Sequence, residues 1–257
     1  MANAPDLQFL AVGEGDDARN VAILARPGSG PAVVWLGGFR SDMRATKATA
    51  LDDWAAEAGR AFVRFDYSGH GESGGEFTAG TISRWLEEAL AVITAKTEGP
   101  AVLVGSSMGG WVALLAALRL KVERPDHAPA GLVLIAPAVD FTERLMWEAL
   151  SEDARRELET TGAFLRPSLY GDPYPITRGL IEDGRKHLLL GGAIEPGCPV
   201  HILQGMEDPD VPWRHVLETV EHLPGEAVTL TLIKDGDHRL SRPEDIERLI
   251  AAVAAIA

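Results

Sequence analysis

A serine flanked by small residues is the first candidate for chemistry in this sequence. Gly105, Ser107 and Gly109 form the pattern G-x-S-x-G, which follows an apolar run and precedes a helix-type pattern. A tight turn from strand to helix leaves no room for side chains at the flanking positions, so glycine there has a steric cause. The helix N-terminus behind Ser107 would favour negative charge on a nearby oxygen. We predict that Ser107 is a nucleophile and that the off-centre Ser106 is not; the alternative is a plain Gly/Ser turn.

A serine hydroxyl is a weak nucleophile and needs a histidine base that an acidic residue orients. Two later loops supply these residues: Asp208 follows the apolar run 200–204, and His238 follows the run 228–233. Each lies after the carboxyl end of a predicted strand, where parallel sheets carry their sites. The order serine, acid, histidine is that of enzymes built on this kind of turn. We predict Asp208 as the acid and His238 as the base, and Asp210 stays open as the alternative acid.

The other histidines fit the role of base less well. Four of them lie in predicted helices or polar linkers, where we expect them in solvent: His127, His187, His215 and His222. His201 lies inside a predicted strand, so we expect it in the core or at an edge. His70 follows a strand but precedes Ser107 in the chain, so we predict only a supporting or pocket role for it.

Acyl transfer through a serine also needs two N–H donors for the oxyanion that forms. The backbone N–H of Met108, directly after the nucleophile, is the first predicted donor. The second should come from the loop after the strand 32–36, where Gly37 and Gly38 precede Phe39. We therefore predict an oxyanion hole formed by the backbone N–H groups of Phe39 and Met108.

A sheet of alternating strands and helices is needed to bring these loops together. Apolar runs predict strands at 7–12, 21–25, 32–36, 61–65, 101–105, 131–136, 200–204 and 228–233. Amphipathic stretches predict helices at about 46–58, 81–97, 214–222 and 243–256, and another directly after Ser107. The first two strands read as an antiparallel hairpin at one edge. The rest of the pattern predicts an α/β fold with a mostly parallel sheet covered on both faces.

The regular alternation stops between about residues 140 and 195. Two helix-like pieces, about 142–160 and 176–190, flank a middle that is rich in Pro, Tyr and Gly, and no strand fits there. We interpret this stretch as a helical cap inserted into a single domain of residues 1–257. Apolar cap side chains should line an acyl pocket at the site. We predict Met146 and Trp147 for this lining, together with Trp213 after the Asp208 loop; the alternative is that cap residues only pack the cap on the sheet.

Composition excludes several classes of function. The chain has 257 residues, 46% of them hydrophobic, and a formal net charge of −14, which disfavours a nucleic-acid partner. The single cysteine, Cys198, rules out an internal disulfide and suits a reducing compartment. Residues 1–20 lack a signal-peptide pattern and no apolar stretch is long enough to span a membrane, so we expect a cytoplasmic protein. We expect no metal, because the histidines and acidic residues do not have the spacing of metal ligands. We also expect no cofactor, because we interpret the G-x-G-x-x-G pattern at 69–74 as a chance match to a dinucleotide-binding motif.

Several motifs together resemble those of α/β-hydrolases, over nearly the whole chain. The loop 66–73, DYSGHGES, resembles the D-x-x-G-x-G-x-S loop of that superfamily. Three stretches, completed by residues 237–239, are similar to motifs of one branch of that superfamily, which is named for palmitoyl-protein thioesterase and mycophenolic acid acyl-glucuronide esterase. The three stretches are 65–69, 104–111 and 205–213. This resemblance implies a serine hydrolase of acyl esters or thioesters, with Ser107, Asp208 and His238 in the catalytic roles. Eukaryotic members carry a mitochondrial presequence and we expect none here, so neither location nor substrate is carried over.

Two other functions stay open at this point. A small serine aminopeptidase could use the same fold, although such an enzyme needs an acidic or aromatic clamp for the peptide amine, which the sequence does not reveal. A ligand-binding or sensor protein could keep the three residues and turn over slowly. The favoured partner is a small acyl ester or thioester, and the sequence leaves the oligomeric state open.

Overall fold

The computed structural model describes residues 5–166, 172–225 and 227–257. Its main sheet has eight strands in the order β1-β2-β4-β3-β5-β6-β9-β10. These strands are β1 (Leu7–Val12), β2 (Arg19–Arg26), β3 (Ser29–Leu36), β4 (Arg60–Phe65), β5 (Val102–Ser106), β6 (Gly131–Ile135), β9 (Val200–Gly205) and β10 (Val228–Ile233). β1 pairs with β2 and β2 with β4 in antiparallel fashion, and every other pair is parallel. The predicted α/β sheet with an antiparallel N-terminal edge is confirmed.

Helices cover both faces of this sheet. Those outside the β6–β9 segment are α1 (Thr46–Ala58), α2 (Ile82–Lys96), α3 (Met108–Glu123), α6 (Trp213–Glu221) and α7 (Pro243–Ala254). One apolar core lies under α2, α3 and α6, where Trp85 and Trp111 are fully buried, and a second lies under α1 and α7. Because the central strands β5 and β6 are buried along their whole length, they read as continuous apolar runs rather than alternating ones.

The segment between β6 and β9, residues 136–199, is called the cap below. It contains a π-helix at Thr142–Trp147, then α4 (Glu152–Thr161), the antiparallel pair β7 (Ala163–Arg166) and β8 (Tyr174–Thr177), and α5 (Arg178–Gly184). The expectation that no strand fits there was therefore wrong. Each of these strands has four residues, too few to show a period, and a proline interrupts β8. Pro167, Tyr170 and Gly171, which we expected between the helical pieces, lie outside the described residues.

Buried carboxylates hold the cap together and join it to the rest of the molecule. Asp140, which follows β6, accepts hydrogen bonds from the backbone N–H groups of Leu189 and Leu190 at 2.8 and 2.9 Å. Burial raises the pKa of this carboxyl group above its usual range. Asp183 in α5 accepts from the N–H and the hydroxyl of Ser83 at the start of α2, at 2.7 and 2.8 Å. The Asp140 contacts thus hold the two ends of the cap together, and the Asp183 contacts join the cap to α2. None of the helices formed by described residues is long and apolar enough to cross a membrane.

Candidate active site

The turn from β5 to α3 has the sharp geometry that the glycine pattern predicts. Ser107 has φ 54° and ψ −116°, a conformation that costs energy for any residue with a side chain. A Cβ atom at Gly105 would collide with the backbone of Gly109, and one at Gly109 would collide with the carbonyl of Leu36. The Ser107 N–H donates to the carbonyl of Ile135 at 2.8 Å, which anchors the turn to the neighbouring strand. The strained serine is thus held at the carboxyl end of the sheet.

Asp208 and His238 meet at the same edge of the sheet. The Nδ1 atom of His238 lies 2.7 Å from Oδ2 of Asp208, whose side chain is completely buried. The other oxygen, Oδ1, accepts the backbone N–H groups of Asp210 and Val211, both at 2.8 Å. A carboxylate that uses both oxygens in this way has one fixed orientation. Because it can only accept at Oδ2, it places the proton of a neutral His238 on Nδ1 and leaves the Nε2 lone pair available.

Ser107 and His238 line one cavity of about 660 Å³. Within the described part of the chain, the Ser107 hydroxyl has no hydrogen-bond partner. Contacts between a nucleophile and its base are often long before substrate binds and close in the complex. The structure therefore brings the three predicted residues together, with the acid–base contact formed and the serine facing the shared cavity.

The two predicted oxyanion donors lie beside Ser107. The loop after β3 forms a turn in which the Ser41 N–H donates to the carbonyl of Gly38 at 3.1 Å. A Cβ atom on Gly38 would lie 3.5 Å from Cβ of Ser107, so this backbone passes directly over the serine. Neither Phe39 N–H nor Met108 N–H has a hydrogen-bond partner among the described residues. Two unsatisfied donors next to a serine are the arrangement that an oxyanion hole requires.

The residues that line the cavity differ in part from those that we predicted for the acyl pocket. Met146 lines the cavity, whereas Trp147 and Trp213 are not among its described lining residues. The Trp147 ring lies between the guanidinium groups of Arg155 and Arg185, at 5.0 and 4.8 Å, so it packs the cap. Trp213 begins α6 and stacks with Arg214, its neighbour in the chain, at 4.3 Å. Leu145 and Met146 are both on the face of the helix that lines the cavity, whereas Trp147, one position further round the helix, is not.

The predicted set of pocket residues omitted several that line the cavity. Phe141 and Leu145 line the cavity one helical turn apart, and their i, i+4 spacing was a signal that pointed to one shared face. Arg40, Arg166 and Tyr174 also line it, and nothing in the local pattern indicated them. Tyr174 packs on Phe39 at 5.8 Å between ring centroids and lies under the Arg40 guanidinium at 4.3 Å. The cap therefore contacts the loop that carries the Phe39 N–H.

Other reactive side chains have structural explanations. Burial raises the pKa of Cys198 to about 11, so this thiol is protonated at neutral pH, as a structural residue would be. His127 and His215 are buried, which corrects the expectation that they lie in solvent; Nε2 of His215 lies 2.8 Å from the carbonyl of Val139. One group of side chains could in principle hold a metal ion, because its potential ligand atoms lie within 4.8 Å of one another: Asp208, Asp210 and His238. The hydrogen bonds that Asp208 makes to the other two residues explain why they lie so close together.

Comparison with known proteins shows the family of this chain. The family model described as "Serine aminopeptidase, S33" matches residues 31–179. The mouse protein named palmitoyl-protein thioesterase ABHD10, mitochondrial, is 35% identical over 236 residues, which cover 91% of this chain and 77% of the relative. The chain belongs to the S33 family of α/β-hydrolases.

Solved structures of other α/β-hydrolases superpose closely on this family member. The Agrobacterium vitis S4 protein named "Putative hydrolase" is 52% identical, covers 99% of both chains and gives a TM-score of 0.95. The mouse α/β hydrolase domain-containing protein 10 is 32% identical, covers 97% of both chains and gives a TM-score of 0.86. The resemblance inferred from the sequence motifs is thus confirmed, and the chain is a hydrolase by family.

Proposed function

We propose that this α/β-hydrolase cleaves acyl esters or thioesters through an acyl-enzyme on Ser107. The proposal is based on one observation: three features of the structure lie around the same cavity. These are the strained Ser107, the His238 ring oriented by Asp208 at 2.7 Å, and the N–H groups of Phe39 and Met108, which have no partner among the described residues. No other residue type is needed for acyl transfer by a serine.

The reaction follows from the positions of these groups. Ser107 Oγ attacks the acyl carbonyl while His238 Nε2 takes the hydroxyl proton, and the carbonyl oxygen becomes an oxyanion held by the N–H groups of Phe39 and Met108. The intermediate collapses as His238 returns the proton to the leaving alcohol or thiol. Water then attacks the acyl-enzyme with His238 as base, and the carboxylic acid leaves.

The composition of the cavity favours this reaction over an aminopeptidase. Among its described lining residues, the cations Arg40, Lys47, Arg166 and Arg239 outnumber the acids Asp42 and Asp210, although the whole chain carries a net charge of −14. A peptide amine is an ammonium group at neutral pH, and cations facing it cost binding energy. The apolar part of the wall, which includes Phe141, Leu145 and Met146, suits an acyl chain instead. The name of the mouse relative supports a thioester as one substrate bond.

A substrate panel tests the bond type. The wild-type protein should hydrolyse p-nitrophenyl acyl esters and acyl thioesters with a kcat/KM at least ~10²-fold above that for aminoacyl p-nitroanilides, because like-charge contacts cost several kcal/mol. An N-acetylated p-nitroanilide, which lacks the ammonium group, separates the effect of charge from that of the amide bond. Faster cleavage of the aminoacyl amides would instead make the protein an aminopeptidase. A pre-steady-state burst followed by negligible turnover on every ester would indicate a sensor.

Chain-length selectivity tests the proposed acyl pocket. Met146→Ala and Leu145→Ala enlarge the cavity wall, so each should shift the ratio of kcat/KM for long over short acyl esters by about tenfold. Trp147→Ala is the matched control from the same helix, because its ring packs on Arg155 and Arg185 outside the cavity lining. It should lower the melting temperature and leave that ratio unchanged. A changed ratio in the Trp147 variant alone would place the acyl pocket elsewhere.

The cytoplasm is the location that we propose. The support is the single cysteine, which suits a reducing compartment, whereas the mouse relative is mitochondrial by name. Fractionation of cells that express the full chain at its native level tests this proposal.

A further inference from the structure

His70 is a buried polar residue that the proposed reaction does not use. It is 5% exposed and lies in the loop after β4. Its ring packs edge-on against Phe39, Phe77 and Trp85, with centroids 6.4, 5.3 and 5.4 Å away. A ring held from several sides in this way has one orientation, so its two nitrogen atoms meet defined partners.

The two ring nitrogens of His70 have different partners. Nδ1 lies 3.1 Å from the carbonyl of Ser68, and Nε2 lies 3.1 Å from the backbone N–H of Arg40. A carbonyl can only accept, so Nδ1 carries the proton and Nε2 accepts from Arg40. Burial lowers the pKa of His70, which keeps the ring in this neutral form. His70 thus accepts a hydrogen bond from the residue that follows Phe39.

The turn that contains Phe39 has a conformation that needs support. Phe39 and Arg40 are the two central residues of the turn 38–41, and Arg40 has φ 59°, which favours glycine or asparagine over other residues. Rotation of the peptide plane between Phe39 and Arg40 would relieve this strain, because turns with the opposite plane have negative φ at the third position. That rotation would turn the Arg40 N–H away from Nε2 of His70. The hydrogen bond therefore selects one of two turn conformations.

A second contact joins the same two loops. Asp66, four residues before His70, accepts the N–H of Met43 at 2.6 Å and the N–H of Glu72 at 2.8 Å. The loop 66–73 is thus closed on itself and fastened to the segment after the turn, which gives His70 a rigid base. The Asp66 contact holds the far end of the segment, whereas the His70 contact acts on the backbone of the turn itself.

We propose that His70 is a positioning residue that holds the turn 38–41 in the conformation that presents the Phe39 N–H to the oxyanion. This inference rests on the proposed function, because it assigns His70 to the oxyanion hole of that reaction. His70 does not touch the reacting atoms. When its hydrogen bond to Arg40 is lost, the turn divides its time between two conformations, and the hole is complete in only one of them.

Two substitutions separate the hydrogen bond from the ring. His70→Asn keeps a donor near the Nδ1 position for Ser68 but offers Arg40 no acceptor, whereas His70→Gln can place its carbonyl oxygen near the Nε2 position. Both remove the ring, so both should lower the melting temperature by similar amounts. We expect His70→Asn to lower kcat by about 10- to 10²-fold on a p-nitrophenyl ester, with KM changed less than about threefold. His70→Gln should stay within about fivefold of the wild-type kcat, because the acceptor for Arg40 is restored.

Inhibition by a trifluoromethyl ketone gives a second readout, because its adduct with a serine carries an oxyanion. Its inhibition constant should rise in His70→Asn by about the same factor as kcat falls, and much less in His70→Gln. Equal kcat values in the two variants, or losses of kcat that follow the melting temperature in both, would overturn the proposal.

Amide hydrogen exchange at Arg40 tests the turn without any activity. Exchange at this amide should be faster in His70→Asn than in His70→Gln, since its acceptor is missing in the first variant only. If the wild-type protein hydrolyses no ester, the proposed function fails, and the exchange result still decides whether His70 holds the turn. If the wild type is active and exchange at Arg40 is the same in both variants, the inference fails while the proposed function stands.

Discussion

Replacing Ser107 with alanine should lower kcat for ester hydrolysis by about 10⁶-fold, to the small residual rate that the oxyanion hole alone supports. The fold should not change, because alanine has no larger side chain than serine at φ 54° and the anchoring N–H bond to Ile135 involves only backbone atoms. Steady-state kinetics on a p-nitrophenyl ester, together with thermal unfolding of both proteins, give the comparison.

Ser106 provides the matched control for this experiment. It precedes the nucleophile, ends β5 and also lines the cavity, yet it is not in the centre of the glycine pattern. Ser106→Ala should keep kcat within about tenfold of wild type, since it removes a hydroxyl that takes no part in the reaction. A fluorophosphonate should modify Ser107 in the Ser106→Ala protein and nothing in the Ser107→Ala protein, as read by peptide mass spectrometry. Comparable turnover by Ser107→Ala and wild type would contradict the mechanism.

Replacing Asp208 with asparagine should lower kcat by about 10³- to 10⁴-fold. The reason lies in the contacts of the carboxylate. Its Oδ1 accepts two backbone N–H groups, from Asp210 and Val211, so the asparagine oxygen is held there. The amide NH₂ then faces Nδ1 of His238, which must become an acceptor, and the proton moves to Nε2. A ring protonated on Nε2 cannot take the proton of Ser107.

Asp210→Asn is the control for the acid. In the structure Asp210 contacts Asp208 through its backbone N–H, which the substitution keeps. We expect it to lower kcat by less than about tenfold. Both variants should be compared by kcat and by the NMR signals of the His238 ring, which report the tautomer directly. If Asp210→Asn loses more activity than Asp208→Asn, the acid has been assigned to the wrong aspartate.

The sheet and its helices could be predicted from the sequence because most of these strands and helices bury one face or both faces in the core. The predicted helix 46–58 has the same bounds in the structure, and the predicted strands 7–12 and 228–233 do as well. Burial of one face leaves a periodic pattern of apolar residues in the sequence, and burial of both faces leaves a continuous apolar run. The cap gave no such signal, since its strands are four residues long and pair only with each other. Its helical part is a π-helix followed by a break, where we expected one helix of about 142–160.

The amino-acid sequence by itself determined the types and order of the reacting groups. Ser107, Asp208 and His238 each follow a strand, so the sequence order of strands and loops was enough to place them at one edge of a parallel sheet. It could not decide which side chains face the cavity, because that depends on the rotation of short cap elements about their own axes. Met146 and Trp147 are adjacent in the chain and both apolar, yet only Met146 of the two lines the cavity. Nor could it show that His70 reaches Arg40, since a hydrogen bond between residues 30 positions apart forms only when two loops fold against each other. Periodicity is a local property of the chain, whereas such contacts are made by the tertiary structure.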